Sequence, residues 1–327
     1  MPSITRSLLA ALGAVALLAI STPSPAQDTY PNRPVKVIVA LPAGGSVDMV
    51  ARLVSQQLAA DLGQPFVVDN KAGASGQIGT PLVARAAPDG YTLMVSPASF
   101  LTTNKSIFRT LPYNPEVDFA PVTKLVNQAM VLVVRDKARF ASVADVLAAA
   151  KANPGKLTYA SSGDGSPQHL AGLMFESRTG TRLLHIPYKG GAPAITDLIG
   201  GVVDMVFAPL PEALPHIRGG KLHAVGVLSE KRAVSAPEIP TLREGGVEGV
   251  VLSAWIGLLA PAKTPRPILE RLDKSVKALL MRGDARARLL EVGMEPAPDD
   301  AKPLGQVIAE EIRVHAELVK AAGLVPQ

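Results

Sequence analysis

The chain contains no cysteine among its 327 residues. That absence excludes disulfides, thiolate catalysis, cysteine-ligated zinc and iron–sulfur clusters. Aromatic residues make up only 4% of the chain, with a single tryptophan, which argues against stacking platforms for single-stranded nucleic acid. Lysine and arginine (33) barely exceed aspartate and glutamate (28), and they form no basic run. We therefore predict no nucleic-acid partner.

Metal and nucleotide motifs are missing too. None of the five histidines has the spacing of a zinc site, and no G-x-x-x-x-G-K sequence is present. We predict neither a metal nor a cofactor. The chain is rich in apolar residues. Hydrophobic residues make up 47% of it and charged residues 19%, which suffices for a sizeable core. The length predicts about two domains of ~150 residues.

The first 26 residues have the pattern of a secretory signal. Arg6 is followed by a 13-residue apolar run at 8–20 and by small residues up to Ala26. Thirteen apolar residues are too few to span a bilayer, which needs ~20. We therefore predict a signal peptide over residues 1–26 and an exported, periplasmic mature chain. Without cysteine, that chain has no site for a lipid anchor.

After the signal, strand and helix patterns alternate. A β-branched run at 35–41 is followed by helical spacing that begins at Ser46 and closes at Gly63. The β-α-β-α-β order over 35–95 predicts a mostly parallel sheet with helices on both faces, and the pattern repeats between 131 and 228.

The C-terminal part, by contrast, is mainly helical, with one predicted strand at 254–259. It therefore completes an earlier lobe rather than forming its own. We predict an α/β fold with a first lobe of residues 27–123 and 229–327 and a second lobe of residues 124–228. The two crossings between the lobes would act as a hinge over a cleft.

Three glycine- and serine-rich loops lie between a predicted strand and a helix. They have the sequences PAGGS (42–46), GASGQIG (73–79) and SSGDGS (161–166). Ligands of open α/β sheets bind at the carboxyl ends of strands, and helix N-terminal amides attract anions. One such loop in each lobe would make a clamp for an anion. The alternative is an ordinary tight turn, with Ser46 capping its helix.

Two further segments carry candidate polar groups. The sequence HIPYKGGAP (185–193) offers the Tyr188 hydroxyl and the amides around Gly190, and Asp204 precedes a β-rich run. Neither Ser162 nor Ser166 fits G-x-S-x-G. An exported serine hydrolase that uses Ser162 or Ser166 with His169 or His185 is therefore the weaker alternative to a binding protein.

Taken in order, these motifs resemble the Bug family, the TctC-like substrate-binding proteins of tripartite tricarboxylate transporters. The resemblance runs from YPxRP (30–34) through PAGGSVDMVAR (42–52) and PGKLTYASSGDGSPQHLAG (154–172) to WIGLLAPAKTP (255–265). It covers essentially the whole mature chain.

That resemblance implies a two-lobed periplasmic binding protein with a Venus-flytrap fold of the class II type. It also implies capture of a small carboxylate (a dicarboxylate, an amino acid or an aromatic acid), delivery to integral-membrane transporter subunits, and a monomer that is not an enzyme. A ligand sensor for a two-component receptor is the alternative role. The ligand-binding residues that it implies are Ala43, Gly44, Ser46, Ser162, Ser166, Tyr188 and Gly190, with Asp204 as a specificity residue.

The chain departs from the family pattern at two positions. His315 stands in the last helix where the family usually carries a tryptophan. Asp164 adds a negative charge beside the second-lobe loop, where it would favour a ligand with an amine or point to solvent. Asp48 and Arg52 match the family helix, and their spacing of four predicts an ion pair along it.

Overall fold

The computed structural model describes residues 30–297, 303–321 and 326. The predicted signal peptide lies outside the described residues. Within them, no helix combines the length and the apolar character needed to cross a membrane.

Strands and helices alternate along most of the described chain. The strands are β1 (Val35–Val39), β2 (Phe66–Asn70), β3 (Thr92–Pro97), β4 (Phe119–Val134), β5 (Thr158–Ser161), β6 (Leu184–Pro187), β7 (Met205–Pro209), β8 (His223–Val227), β9 (Ser253–Pro261) and β10 (Glu295–Pro296). The helices are α1 (Ser46–Leu62), α2 (Thr80–Ala84), α3 (Ala98–Leu101), α4 (Asn104–Ile107), α5 (Val143–Ala152), α6 (Pro167–Thr179), α7 (Gly191–Gly200), α8 (Leu210–Arg218), α9 (Arg266–Met281), α10 (Gly283–Glu291) and α11 (Leu304–Ala321).

The first lobe is built on the strand order β2-β1-β3-β9-β4, with β10 also paired to β4. Strands β1, β2 and β3 are parallel, whereas β9 runs antiparallel to both β3 and β4. In the second lobe β7, β5 and β6 are parallel neighbours, and β4 runs antiparallel to β7 and β8. The predicted α/β class is confirmed, with antiparallel strands where the two lobes join.

Strand β4 belongs to both lobes. Its residues up to Ala129 pair with β9, and its residues from Met130 onward pair with β7 and β8. The sequence pattern predicted a strand only at 131–134, because polar residues such as Lys124 and Asn127 interrupt the apolar alternation before it. The change of partners comes later in the chain than the predicted boundary at 123/124.

The return from the second lobe also comes later. Residues 229–252 were expected in the first lobe, but Leu242, Val247, Val250 and Leu252 are buried in the apolar core of the second. Backbone bonds from Leu242 to Val227 and from Leu252 to Leu228 hold this segment there. We therefore propose that the second lobe extends to about Leu252 and that the return crossing is β9 itself.

Helix α1 shows how packing sets the position of a loop. Val47, Val50, Val54 and Leu58 recur at helical spacing and are buried; a fully buried side chain of this kind contributes about 1.5–3 kcal/mol. The helix ends at Gly63, whose φ of +75° suits glycine. Because this face is fixed on the sheet, the amino end of α1 and the loop before it stay at the carboxyl end of β1.

Candidate functional site

The first-lobe loop, residues 42–46, connects β1 to α1. Gly44 has a φ of +88°, a left-handed conformation that glycine adopts without strain. Ala43 and Gly44 are exposed, and Ser46 is partly exposed. The N-cap of α1 is Gly45, without a side-chain cap, so the alternative in which Ser46 caps the helix is wrong. The Ser46 hydroxyl makes no hydrogen bond among the described residues and is available to a ligand.

The side chain of Asp48 holds this loop in place by hydrogen bonding. Its buried carboxylate accepts the Gly44 N–H at 3.0 Å and Asn70 Nδ2 at 3.0 Å. The predicted pair with Arg52 is present, with Nε 2.9 Å from Oδ2 and Nη2 3.1 Å from Oδ1. The Arg52 hydrogen bonds hold the pKa of Asp48 below its usual range despite burial. Asp48 therefore shapes the loop and is not itself directed at a ligand.

The second-lobe loop, residues 161–166, connects β5 to α6. Ser161 Oγ makes three contacts within this loop and beside it. It accepts the Gly163 N–H at 3.1 Å and donates to the Gly163 carbonyl at 3.0 Å. It also lies 2.6 Å from His185 Nε2. Ser162 donates to Gln168 Oε1 at 2.9 Å, and Ser166 caps α6 by accepting the His169 N–H at 3.3 Å. These hydrogen bonds join the loop to its own lobe, and Gly165 lies against Ile107 of the first lobe.

Two neutral histidines pack against this loop. The rings of His169 and His185 stack with centroids 3.8 Å apart. Burial lowers the pKa of His169 to about 4 and also lowers the pKa of His185. The Gly165 N–H donates to His169 Nδ1 at 3.0 Å, which requires that nitrogen to be unprotonated. Asp164 lies near both rings, and the three groups together could reach one ion, but the His169 Nδ1 lone pair is already used.

Ser161, His185 and Asp164 form a line that superficially resembles a hydrolase triad. Asp164 Oδ1 is 3.5 Å from His185 Nδ1, and His185 Nε2 meets Ser161 Oγ. Ser161, however, is completely buried, so a substrate carbonyl has no access to its hydroxyl. The serines named for the hydrolase alternative, Ser162 and Ser166, contact no histidine ring nitrogen.

Tyr188 and Gly190 lie beside the second-lobe loop. The Tyr188 N–H donates to the Ser161 carbonyl at 2.9 Å, which joins the two segments. The Tyr188 hydroxyl donates to Asp197 Oδ2 at 2.7 Å, and desolvation together with Asp197 raises its pKa to about 12. Gly190, with φ of +125°, is the N-cap of α7 and leaves the first amides of that helix without a side-chain cap.

Asp204 is placed elsewhere, and the expectation for it has to be corrected. It precedes β7 and bonds Thr158, the first residue of the parallel strand β5, with the Thr158 N–H and hydroxyl both 2.8 Å from Oδ2. Arg139 Nη1 donates to its other oxygen at 2.7 Å. These contacts lie at the amino ends of β5 and β7. The length of β5, about 13 Å, separates them from the loops at the carboxyl ends. Asp204 joins the amino ends of β5 and β7 by hydrogen bonds, and we leave it out of the proposed ligand site.

The first-lobe loop faces the start of α8 in the second lobe. A cavity of about 450 Å³ is lined by Gly44, Gly45, Ser46 and Met49 of the first lobe and by Pro211, Glu212, Leu214 and Pro215 of the second. A small cavity of about 30 Å³ lies between Pro97 and Ser99 at the end of β3 and Pro167 and Leu170 at the start of α6. A larger hollow of about 650 Å³ near His223 and Thr241 is lined by second-lobe residues only, so it is not part of the cleft.

Sequence reasoning missed Glu212. It lies in the first turn of α8, where an acidic residue ordinarily only complements the helix dipole. In the folded chain its side chain lies against α7. Glu212 Oε2 is so close to Gly191 that a Cβ at this glycine would overlap it. The residue is exposed to the cavity, yet the protein around its carboxylate disfavours the charged form and raises its pKa to about 7. The position of Glu212 directly after β7 was the available signal.

The family of the chain follows from comparison with known proteins. A family model described as the tripartite tricarboxylate transporter family receptor, TctC, matches residues 50–324. The chain belongs to this family. TctC receptors are substrate-binding proteins and not enzymes, which removes the hydrolase alternative.

Similar TctC and Bug proteins cover nearly the whole chain. Protein BugT of Bordetella pertussis is 38% identical over 321 residues, 97% of each chain. Among solved structures, Rpa4515 of R. palustris with adipate is 34% identical and has a TM-score of 0.83, covering 91% of this chain and 100% of that one. MatC from Rhodopseudomonas palustris with bound malate is 33% identical, with a TM-score of 0.78 over 89% and 100%. The predicted family and two-lobed fold are confirmed.

Proposed function

We propose that this TctC-family binding protein captures a small carboxylate between its lobes in the periplasm and delivers it to the membrane subunits of a tripartite tricarboxylate-type transporter. The similar solved structures that hold adipate and malate support the ligand class. The pattern of residues 1–26 supports export.

One observation carries this proposal. Each lobe presents a glycine- and serine-rich loop at the amino end of a helix. The first-lobe loop lines a cavity together with second-lobe residues, and Gly165 of the second-lobe loop lies against Ile107 of the first lobe. Helix N-terminal amides and exposed hydroxyls bind carboxylates without a fixed cation. The contacts that we propose come from Ala43, Gly44 and Ser46 on one side. On the other side they come from Ser162, Ser166, Tyr188 and Gly190, where the hydroxyls of Ser162 and Tyr188 would exchange their present acceptors, Gln168 and Asp197, for the ligand.

The ligand class is tested by a thermal-shift screen of residues 27–327 against small carboxylic acids. The protein is unfolded and refolded first, to remove any ligand that co-purifies. A carboxylate at 100 times its Kd stabilises the protein by roughly 2.7 kcal/mol, a readily measured shift. The corresponding neutral amides, which keep the shape but not the charge, are expected to give none. If no carboxylate shifts the refolded protein, the proposal is wrong.

Replacement of one hydroxyl tests the location. Because the Ser46 hydroxyl has no partner among the described residues, Ser46→Ala removes a ligand contact without removing an internal hydrogen bond. We expect affinity for the carboxylate to fall about 10- to 100-fold, since hydrogen bonds to charged groups contribute ~1.5–3 kcal/mol. Ser106→Ala, in α4 and outside the cavity, is the matched control and should bind like the wild type. Equal affinities in the two variants would remove Ser46 from the site.

Delivery is tested separately, by pull-down of membrane proteins with the loaded protein. Capture of transporter subunits supports the proposed role. Capture of a kinase ectodomain instead would favour the sensor alternative.

A further inference from the structure

Glu212 is a carboxylate without a partner in the cleft. Among the described residues it makes neither a hydrogen bond nor an ion pair, and desolvation is the one cause of its raised pKa. It follows the carboxyl end of β7 and lines the same cavity as Gly44 and Ser46. Glu212 is exposed, and its unpaired carboxylate faces the space between the lobes, where a ligand group can reach it.

The other charged groups of the cavity do not supply that counter-charge. Arg218 lines the cavity, but its Nη1 donates to the Glu291 carbonyl at 2.8 Å and its Nη2 to the Ser235 carbonyl at 3.5 Å. Glu291 also lines the cavity and is itself an acid. No lysine of the described chain lines this cavity.

Glu212 also lies beside the anion position of the proposed function. Its Oε2 is in contact with Gly191, the first residue of α7, whose amides we propose to face a carboxylate. Two carboxylates side by side repel each other unless a cation or a proton lies between them. A ligand that carries its own cation next to its carboxylate satisfies both groups at once.

We propose that Glu212 binds an ammonium group on the ligand and so selects amino-acid-like carboxylates over plain carboxylates of the same shape. This inference rests on the proposed function, because it needs the ligand carboxylate to be held by the loop amides. It assigns Glu212 the role of a specificity residue, and it narrows the ligand from small carboxylates to those with a neighbouring amine.

The test is calorimetric titration of the refolded protein, residues 27–327, with three matched pairs: aspartate and succinate, glutamate and glutarate, phenylalanine and 3-phenylpropionate. The members of a pair differ by one ammonium group. At pH 8.5 the carboxylate of Glu212 is ionised. We expect the wild type to favour the amino member of the pair that fits the cleft. In Glu212→Gln that preference should fall at least tenfold, through weaker binding of the amino acid and unchanged or tighter binding of the plain acid.

Two controls separate this role from a structural one. Glu291→Gln removes another carboxylate of the same cavity and should keep the wild-type preference. Glu212→Asp keeps the charge on a shorter side chain and should retain part of the preference, which also provides a second variant should Glu212→Gln not fold.

The outcomes distinguish the two proposals. If the wild type binds plain acids at least as tightly as amino acids, or if the preference is the same in Glu212→Gln, carboxylate binding stands and the role of Glu212 is wrong. If none of the six probes binds but another carboxylate is found in the thermal-shift screen, the carboxylate function stands and this inference is wrong. If no carboxylate binds in either experiment, both proposals fail.

Discussion

Two buried polar side chains, Asp48 and Ser161, do similar work in the two lobes. Each accepts the N–H of a loop glycine, Gly44 or Gly163, and each has further partners within its own lobe. Neither is in a position to meet a ligand. Their effect is to hold each loop in one conformation before binding, which lowers the entropy that binding has to overcome.

Individual residues also show what the sequence could and could not predict. The loop of Gly44 and Ser46 was predictable, since a strand, a glycine turn and a helix follow one another in the chain. Asp204 was misassigned, although its place before β7 already put it at the amino end of a parallel strand. The sequence places Glu212 directly after β7, but its contact with Gly191 was not predictable, because that contact depends on how α7 and α8 lie in space.

Gly172 gives a test of packing at a single position. A Cβ there would overlap the ring of the fully buried Tyr159, and both residues lie in the second-lobe core. We expect Gly172→Ala to lower the free energy of unfolding by about 1–3 kcal/mol, because a packed core does not absorb an added methyl group. Urea denaturation with fluorescence detection measures the change.

The control for that prediction is Gly283→Ala, also at a helix residue. A Cβ on Gly283 would meet nothing within 4 Å. Alanine there should leave stability unchanged or raise it by up to about 1 kcal/mol. Equal effects of the two substitutions would contradict the packing argument.

Among the elements, helix α11 contacts both lobes. Leu304, Ile308 and Ile312 pack with Trp255 in a first-lobe cluster, whereas Val319 is buried in the second-lobe core. Glu311 accepts the Trp255 Nε1–H with both oxygens, at 2.9 and 3.0 Å. The amphipathic pattern of the sequence predicted the helix, but it placed the whole C-terminal part in the first lobe. The apolar residues of α11 predict that one face of the helix is buried, but they do not indicate which of the two cores its last turn packs against.

His315, which departs from the family pattern, fits this helix as a buried neutral side chain. Its Nδ1 lies 3.0 Å from Thr103 Oγ1. Burial lowers its pKa to about 4, whereas an unfolded histidine titrates near ~6.5. The unfolded chain therefore takes up a proton first as the pH falls. The stability that neutral His315 contributes is present above about pH 6.5 and is lost as the pH falls toward about 4.

We therefore expect the stability difference between wild type and His315→Asn to shrink by up to about 3 kcal/mol from pH 7 to pH 4. Urea denaturation at a series of pH values measures it. Burial also raises the pKa of Glu311 to about 7, which works in the opposite sense, but Glu311 is present in both proteins and cancels in the difference. A difference that is constant with pH for His315→Asn would contradict the assignment.

At the scale of the whole molecule, the lobes are joined through β4 and β9, and β4 changes partners within one continuous strand. Its register shifts near Pro121 and Lys124, which are sites of local bending and twist. The sequence pattern predicted two crossings because the alternation of strands and helices occurs twice. It did not predict that one strand would serve both sheets, since pairing partners are set by tertiary packing.

The absence of cysteine makes closure of the lobes directly measurable. Met49, which lines the cavity and is 45% exposed, can be changed to cysteine and labelled with an environment-sensitive dye. We expect a bound carboxylate to bring the second lobe over this position and shift the dye emission. The same label at Met281, 62% exposed at the end of α9, should not respond. A ligand that binds by calorimetry but shifts neither label would show that the cleft does not close over Met49.

The position of β9 has a consequence for how this protein is made. It lies between β3 and β4 in the first sheet, although the whole second lobe separates it from them along the chain. Synthesis and export both deliver the amino end first, so β3 has an unpaired edge until about four-fifths of the chain has been delivered. The second-lobe strands, within residues 130–227, reach one another much sooner. A chaperone that binds exposed strand edges before folding is complete would therefore be needed longest by the first lobe.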